Sequence, residues 1–274
     1  MRRTTGSLVA GFALLDLSIS IFIGSAILGG YIGMFSNRMG AQHEAESEHT
    51  VGEARLALVS YAIANGRLPC PADPTIASGQ LDAGVAGAYL EDRCAHGLFG
   101  ALPWATLGLK ELDAWGNRLA YRVAEEIAQT IETCDEGGGE SRSTCLVPPS
   151  KAYASTPTRD ALGIRELVWA NGKVERTEPI ANGLAAVVIS SGPNGALSFT
   201  KSGTKREPIN TLGMEYELKN ATPTSTTFYS APADRRGPSC PPGTSTTECA
   251  FDDVVAWVSR GEILMTLAKA GHKF

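Results

Sequence analysis

Between residues 8 and 35 the chain is apolar or small-polar at almost every position, interrupted by a single charge, Asp16. That run of roughly 28 residues exceeds the roughly 20 that a bilayer-spanning helix needs, so a membrane-crossing helix is predicted there. After Phe35 the sequence turns polar without a strong breaker. Val51, Ala54, Leu58 and Tyr61 then recur at helical spacing, with Ala57 and Ala62 beside them, which predicts that the helix runs on with one apolar stripe. Asn65-Gly66 is a stop signal, and Pro69 and Pro71 prevent resumption. If helical throughout, residues 12–64 would span roughly 80 Å. Further along, 119–123, 166–170, 173–177 and 184–190 read as strands, with Asn171-Gly172 as a hairpin turn between the second and third. A last strand is expected at 254–258, then a short helix at 263–268 ended by Gly271. The expected fold class is α+β: one antiparallel sheet laid on a long N-terminal helix, as one domain on one stalk.

Charge sets the orientation. Arg2 and Arg3 precede the apolar run, whereas Arg38 is the only base close behind it and Glu44, Glu46 and Glu48 follow. This bias favours an N-terminus in the cytoplasm and the remaining chain outside. An ordinary secretory signal has an apolar core of only about 7–15 residues, and this run is longer; an uncleaved signal anchor remains an alternative. With 43% hydrophobic and 19% charged residues, the chain can bury a good-sized core. Its net charge of -5 and lack of a Lys/Arg run give no basic field for a phosphate backbone, so nucleic acid is not an expected partner. The six cysteines fall into three local pairs, Cys70 with Cys94, Cys134 with Cys145 and Cys240 with Cys249. Proximity suggests three disulfides in an oxidising compartment; free core cysteines are the other reading.

The stretch Gly11-Phe12-Ala13-Leu14-Leu15-Asp16, after a short leader with basic residues, resembles the prepilin N-terminus of type IV pilins and type II secretion pseudopilins. The resemblance implies cleavage after Gly11 by a prepilin peptidase, N-methylation of Phe12, and an assembly role for Asp16 at the fifth mature position. The family usually has Glu where this chain has Asp16, and Thr where it has Ala13. The segments 58–71, 102–109, 113–121, 187–195 and 252–258 are similar to helix-end, scaffold and loop positions of such proteins. The domain reading is then a leader at 1–11, a transmembrane helix at 12–36, its periplasmic continuation at 37–65 and a pilin-like globular domain at 66–274. The implied function is a structural subunit of a type IV pilus or type II secretion pseudopilus, with minor subunit favoured by size and by Asp16. The implied location is the bacterial inner membrane, single pass, and then the filament; the implied partners are the peptidase, other pilin or pseudopilin subunits and inner-membrane lipid. The rival is a membrane-anchored periplasmic enzyme or binding protein with an uncleaved anchor.

Little in the sequence points to catalysis. His43, His49, His96 and His272 form no HExxH or i, i+4 pair, and Ser190-Ser191-Gly192 is not a nucleophile elbow. No enzyme activity, cofactor or metal is expected. Asp252 and Asp253 are candidates for Ca2+, an ion some pseudopilins bind in a C-terminal loop, with Asp234 or Glu248 able to join them; adjacent aspartates more often form a solvated turn or helix cap, and no EF-hand spacing is present. Trp104, Trp115, Trp169 and Trp257 read as packing residues. Gly29 and Gly33 form a GxxxG that would permit close helix approach.

Overall fold

The computed structural model describes residues 10–65, 67–90, 93–128, 161–170, 173–207, 214–232 and 251–269. It divides into two units, Met1–Ala45 and Glu46–Phe274. Helix α1 spans Ala10–Asn65. Among the described residues no helix is long and apolar enough to cross a membrane; the side chains described in the N-terminal half of α1 are those of 17–28, so the expected span at 12–36 extends beyond them. Within 17–28 every side chain is exposed, including Leu17, Ile19, Ile21, Phe22, Ile23, Ile27 and Leu28.

In the second unit, the C-terminal part of α1 buries Val51, Ala54, Leu58 and Ala62, with Val59 beside them. The stripe closes on Ala62, not on the expected Tyr61, which is only half-buried. A methyl group lets the helix approach the sheet where a phenol would hold it off. The helix ends at Asn65, whose Nδ2 donates to the Tyr61 carbonyl at 2.9 Å.

Among the described residues the remaining elements are β1 (Tyr89–Leu90), β2 (Arg93–Cys94), β3 (Phe99–Ala101), α2 (Trp104–Leu107), β4 (Ala120–Val123), α3 (Glu125–Ala128), β5 (Leu162–Ala170), β6 (Lys173–Ser190), α4 (Glu215–Asn220), β7 (Thr227–Ser230), β8 (Val254–Ser259) and α5 (Arg260–Lys269). The main sheet has the order β3-β4-β6-β5-β7, with β8 also paired to β6. β6 joins its two halves: residues 173–184 pair with β5, and its end lies between β4 and β8. The two strands expected at 173–177 and 184–190 are thus one. Pro179 and Gly183 lie within it; the register shifts against β5 skip Glu175, Ile180 and Gly183, so bulges absorb the irregular residues. Gly183 sits at φ +64°, which suits the extra residue of such a bulge. The sheet is also not purely antiparallel, because β7 runs parallel to β5.

Side-chain alternation divides the sheet into two faces. Tyr121, Val123, Ala186 and Val188 pack with Leu58 and Ala62 of α1 in one core; Ala120, Val187 and Ile189 face the other way, with Ile164 and Phe228. Arg55 ties α1 to the C-terminal elements, through Nε to the Trp257 carbonyl (3.0 Å) and Nη2 to Glu262 (2.7 Å). Cys70 and Cys94 form a disulfide, as expected from their proximity, with Cα atoms 5.5 Å apart. Cys134, Cys145, Cys240 and Cys249 lie outside the described residues.

Candidate functional site: buried carboxylates beside a cavity

Most of the buried polar residues of the second unit gather where β6 ends, and the sequence segments 113–121 and 187–195 meet there. The Ser190 hydroxyl donates to Asp113 Oδ2 (2.6 Å), and Asp113 Oδ1 accepts the backbone N–H groups of Trp115 and Asn117 (2.9 and 2.8 Å). Asn117 Nδ2 then donates to the Gly192 carbonyl at 2.9 Å. These bonds fix the 191–195 turn, whose Gly192 is at φ +56° and packs so closely on Asp252 that a Cβ would overlap it. Burial pushes the Asp113 carboxyl up, against the opposing effect of the Ser190 hydroxyl.

Three further carboxylates converge next to that turn: Glu217 from α4, and Asp252 and Asp253 from the approach to β8. Each offers an oxygen within 4.8 Å of the others, and all three are buried. Glu217 accepts the Asp252 N–H at Oε1 (2.7 Å) and Asn194 Nδ2 at Oε2 (2.9 Å). Asp253 Oδ2 accepts Asn220 Nδ2 at 2.8 Å, and Asp252 Oδ2 accepts the Asn194 N–H at 3.3 Å, while Asp252 Oδ1 is buried without a hydrogen-bond partner. Among the described residues no Lys or Arg pairs with any of the three. Burial pushes all three carboxyls up; for Asp252 the neighbouring charges of Glu217 and Asp253 add to it, taking the group to about 9. Carboxylates this close cannot all ionise together. The group therefore retains protons or holds a cation.

Glu217 and Asp253 also line a cavity of about 160 Å3, with Asn220 and the apolar side chains of Phe99, Ala120, Ile189 and Leu197. Phe99, Ala120 and Ile189 belong to the sheet face opposite α1. Arg118 borders the same space, but its guanidinium is occupied: Nε and Nη2 bond Glu111 (2.9 and 2.7 Å), Nη1 bonds the Pro74 carbonyl (2.7 Å), and its face lies 4.7 Å from the Trp104 ring centre.

The structure thus joins the two cation candidates read from sequence, Asp252 and Asp253, and adds Glu217, which the sequence did not single out. It contradicts the solvated-turn reading of the pair, since Asp252 and Asp253 are 4% and 3% exposed. Asp234 and Glu248 lie outside the described residues, as does His272. His49 lies 3.6 Å from Glu53 and His96 lies 3.9 Å from Asp73; neither joins the carboxylate group. Gly11, Phe12 and Asp16 fall in the first two turns of α1, and Gly29 and Gly33 lie further along it; the side chains of Phe12 and Asp16 are not among those described. No family model, curated protein or solved structure matches this chain.

Proposed function

We propose that this chain is a non-enzymatic assembly subunit of the pilin-like kind, a minor pilin or pseudopilin of a type IV pilus or type II secretion pseudopilus. The observation that carries this reading is the two-part character of α1. From Val51 to Ala62 the helix is buried along one stripe under an α+β sheet domain, whereas from 17 to 28 its large apolar side chains are exposed all round. A helix apolar on every side needs lipid or other apolar helices about it, and a filament core of packed helices supplies the second once the first is left behind. The prepilin-like run Gly11-Phe12 with Asp16 gives the means of release: cleavage exposes an amine at Phe12, and Asp16 pairs with that amine in its own or a neighbouring subunit. The inner membrane holds the subunit before assembly, and the prepilin peptidase processes it.

Asp16 is the residue to test. In a cell that makes the filament, Asp16→Ala should insert and be processed yet enter sheared filaments or crosslinked complexes poorly. Asp16→Glu, which keeps the carboxylate and lengthens its reach by one methylene, should enter them normally. Wild-type incorporation of the Ala variant would remove the assembly role. A second reading, a membrane-anchored binding protein with an uncleaved anchor, is favoured by the cavity beside Glu217 and Asp253. It predicts an intact N-terminus and no filament.

A further inference from the structure

We propose that the cavity between the outer sheet face and α4 is a binding site for a primary alkylammonium group, carried by a free amine or by a lysine side chain. Its charge would be held by Glu217 and Asp253, and its aliphatic stem would lie against Phe99, Ala120, Ile189 and Leu197. The inference holds whether or not the chain assembles into a filament.

Glu217 and Asp253 stand in the cavity wall with Asp252 close by, all three more than nine-tenths buried, and no basic side chain among the described residues neutralises them. The two cations that border the cavity do not serve. Arg118 has its donors taken by Glu111 and the Pro74 carbonyl, and Lys205 is exposed. Buried negative charge is costly without a positive partner or a proton.

The composition of the wall also favours an ammonium over a metal ion. A hard divalent ion such as Ca2+ asks for six to eight oxygen ligands. Here both Glu217 oxygens and one Asp253 oxygen already accept hydrogen bonds, and much of the remaining wall is carbon. An ammonium needs only three acceptors, and the stem behind it gains from apolar contact. The size fits: an apolar cavity of about 150 Å3 takes a benzene-sized molecule of about six heavy atoms, and about 160 Å3 takes the four carbons and one nitrogen of butylammonium.

The test is saturation-transfer NMR on the purified full chain, titrated at neutral pH with n-butylamine, n-butanol and calcium chloride in parallel. Saturable transfer to the butylammonium methylenes is expected, with binding roughly tenfold or more tighter than for n-butanol, since a charge-assisted hydrogen bond is at stake. Glu217→Gln and Asp253→Asn should each weaken it by a similar factor. The comparison with n-butanol needs no variant, so it holds even if a substitution disturbs folding. Equal binding of the alcohol would overturn the proposal. So would calcium binding with no response to butylamine, and so would no response to any of the three. Nα-acetyl-lysine amide separates the sources: binding as tight as butylamine's supports a lysine side chain, and binding of butylamine alone supports a free amine.

Discussion

At the residue scale, the carboxylate group is where local chemistry departs furthest from the ordinary. Asp252 and Asp253 were legible as a pair of acids, but their burial was not, because adjacent aspartates carry no hydrophobic periodicity that would place them inside. Glu217 was not legible at all. It lies 35 residues from its partner Asp252 in sequence, and only the folding of α4 onto the approach to β8 brings them together. Their titration makes a prediction whose sign follows from linkage. Glu217, Asp252 and Asp253 are pushed above the ordinary carboxylate range, Asp252 to about 9, so the folded chain binds more protons than the unfolded one. Their contribution to stability is therefore greatest near pH 4 and is lost as pH rises toward 9. Denaturant unfolding at pH 5, 7 and 9 should give a steadily falling free energy, and unfolding at pH 7 should release protons into weak buffer. Stability that rises across this window would contradict the buried, uncompensated state of the three groups.

At the scale of elements, the second half of α1 was readable because a helix packed on one side must repeat its apolar residues at its own period. Val51, Ala54 and Leu58 obey that rule and are all buried. The strands at β4 and β8 and the hairpin of β5 and β6 were likewise visible as β-branched and aromatic runs. Hidden were the continuity of β6 through its bulges, the first residues of β5, and the short elements β1, β2, β3, α2, α3, α4 and β7. β7 is a four-residue parallel edge whose Thr and Ser content resembles a loop, and α4 is too short for a periodic pattern to emerge. The contrast between two leucines on α1 tests the packing. Leu58 is fully buried and Leu56 is 62% exposed. Leu58→Ala should cost about 2–5 kcal/mol, whereas Leu56→Ala should stay within about 0.5 kcal/mol, both measured by denaturant melts. Equal losses would mean that the helix does not present the face assigned to it.

At the scale of the whole molecule, a helix with an exposed apolar part and a packed part leads into a mixed-sheet α+β domain stapled by Cys70–Cys94. The apolar run at 8–35 was the plainest signal in the sequence because it is long and broken by one charge only, Asp16. What an apolar run leaves open is whether the helix stays anchored or is cut and released. That distinction rests on one peptide bond, between Gly11 and Phe12. The most direct measurement is therefore mass spectrometry of the protein extracted from the membranes of cells with an active prepilin peptidase. The expected chain begins at Phe12 and carries one added methyl group. An intact chain beginning at Met1 in those cells would contradict that expectation.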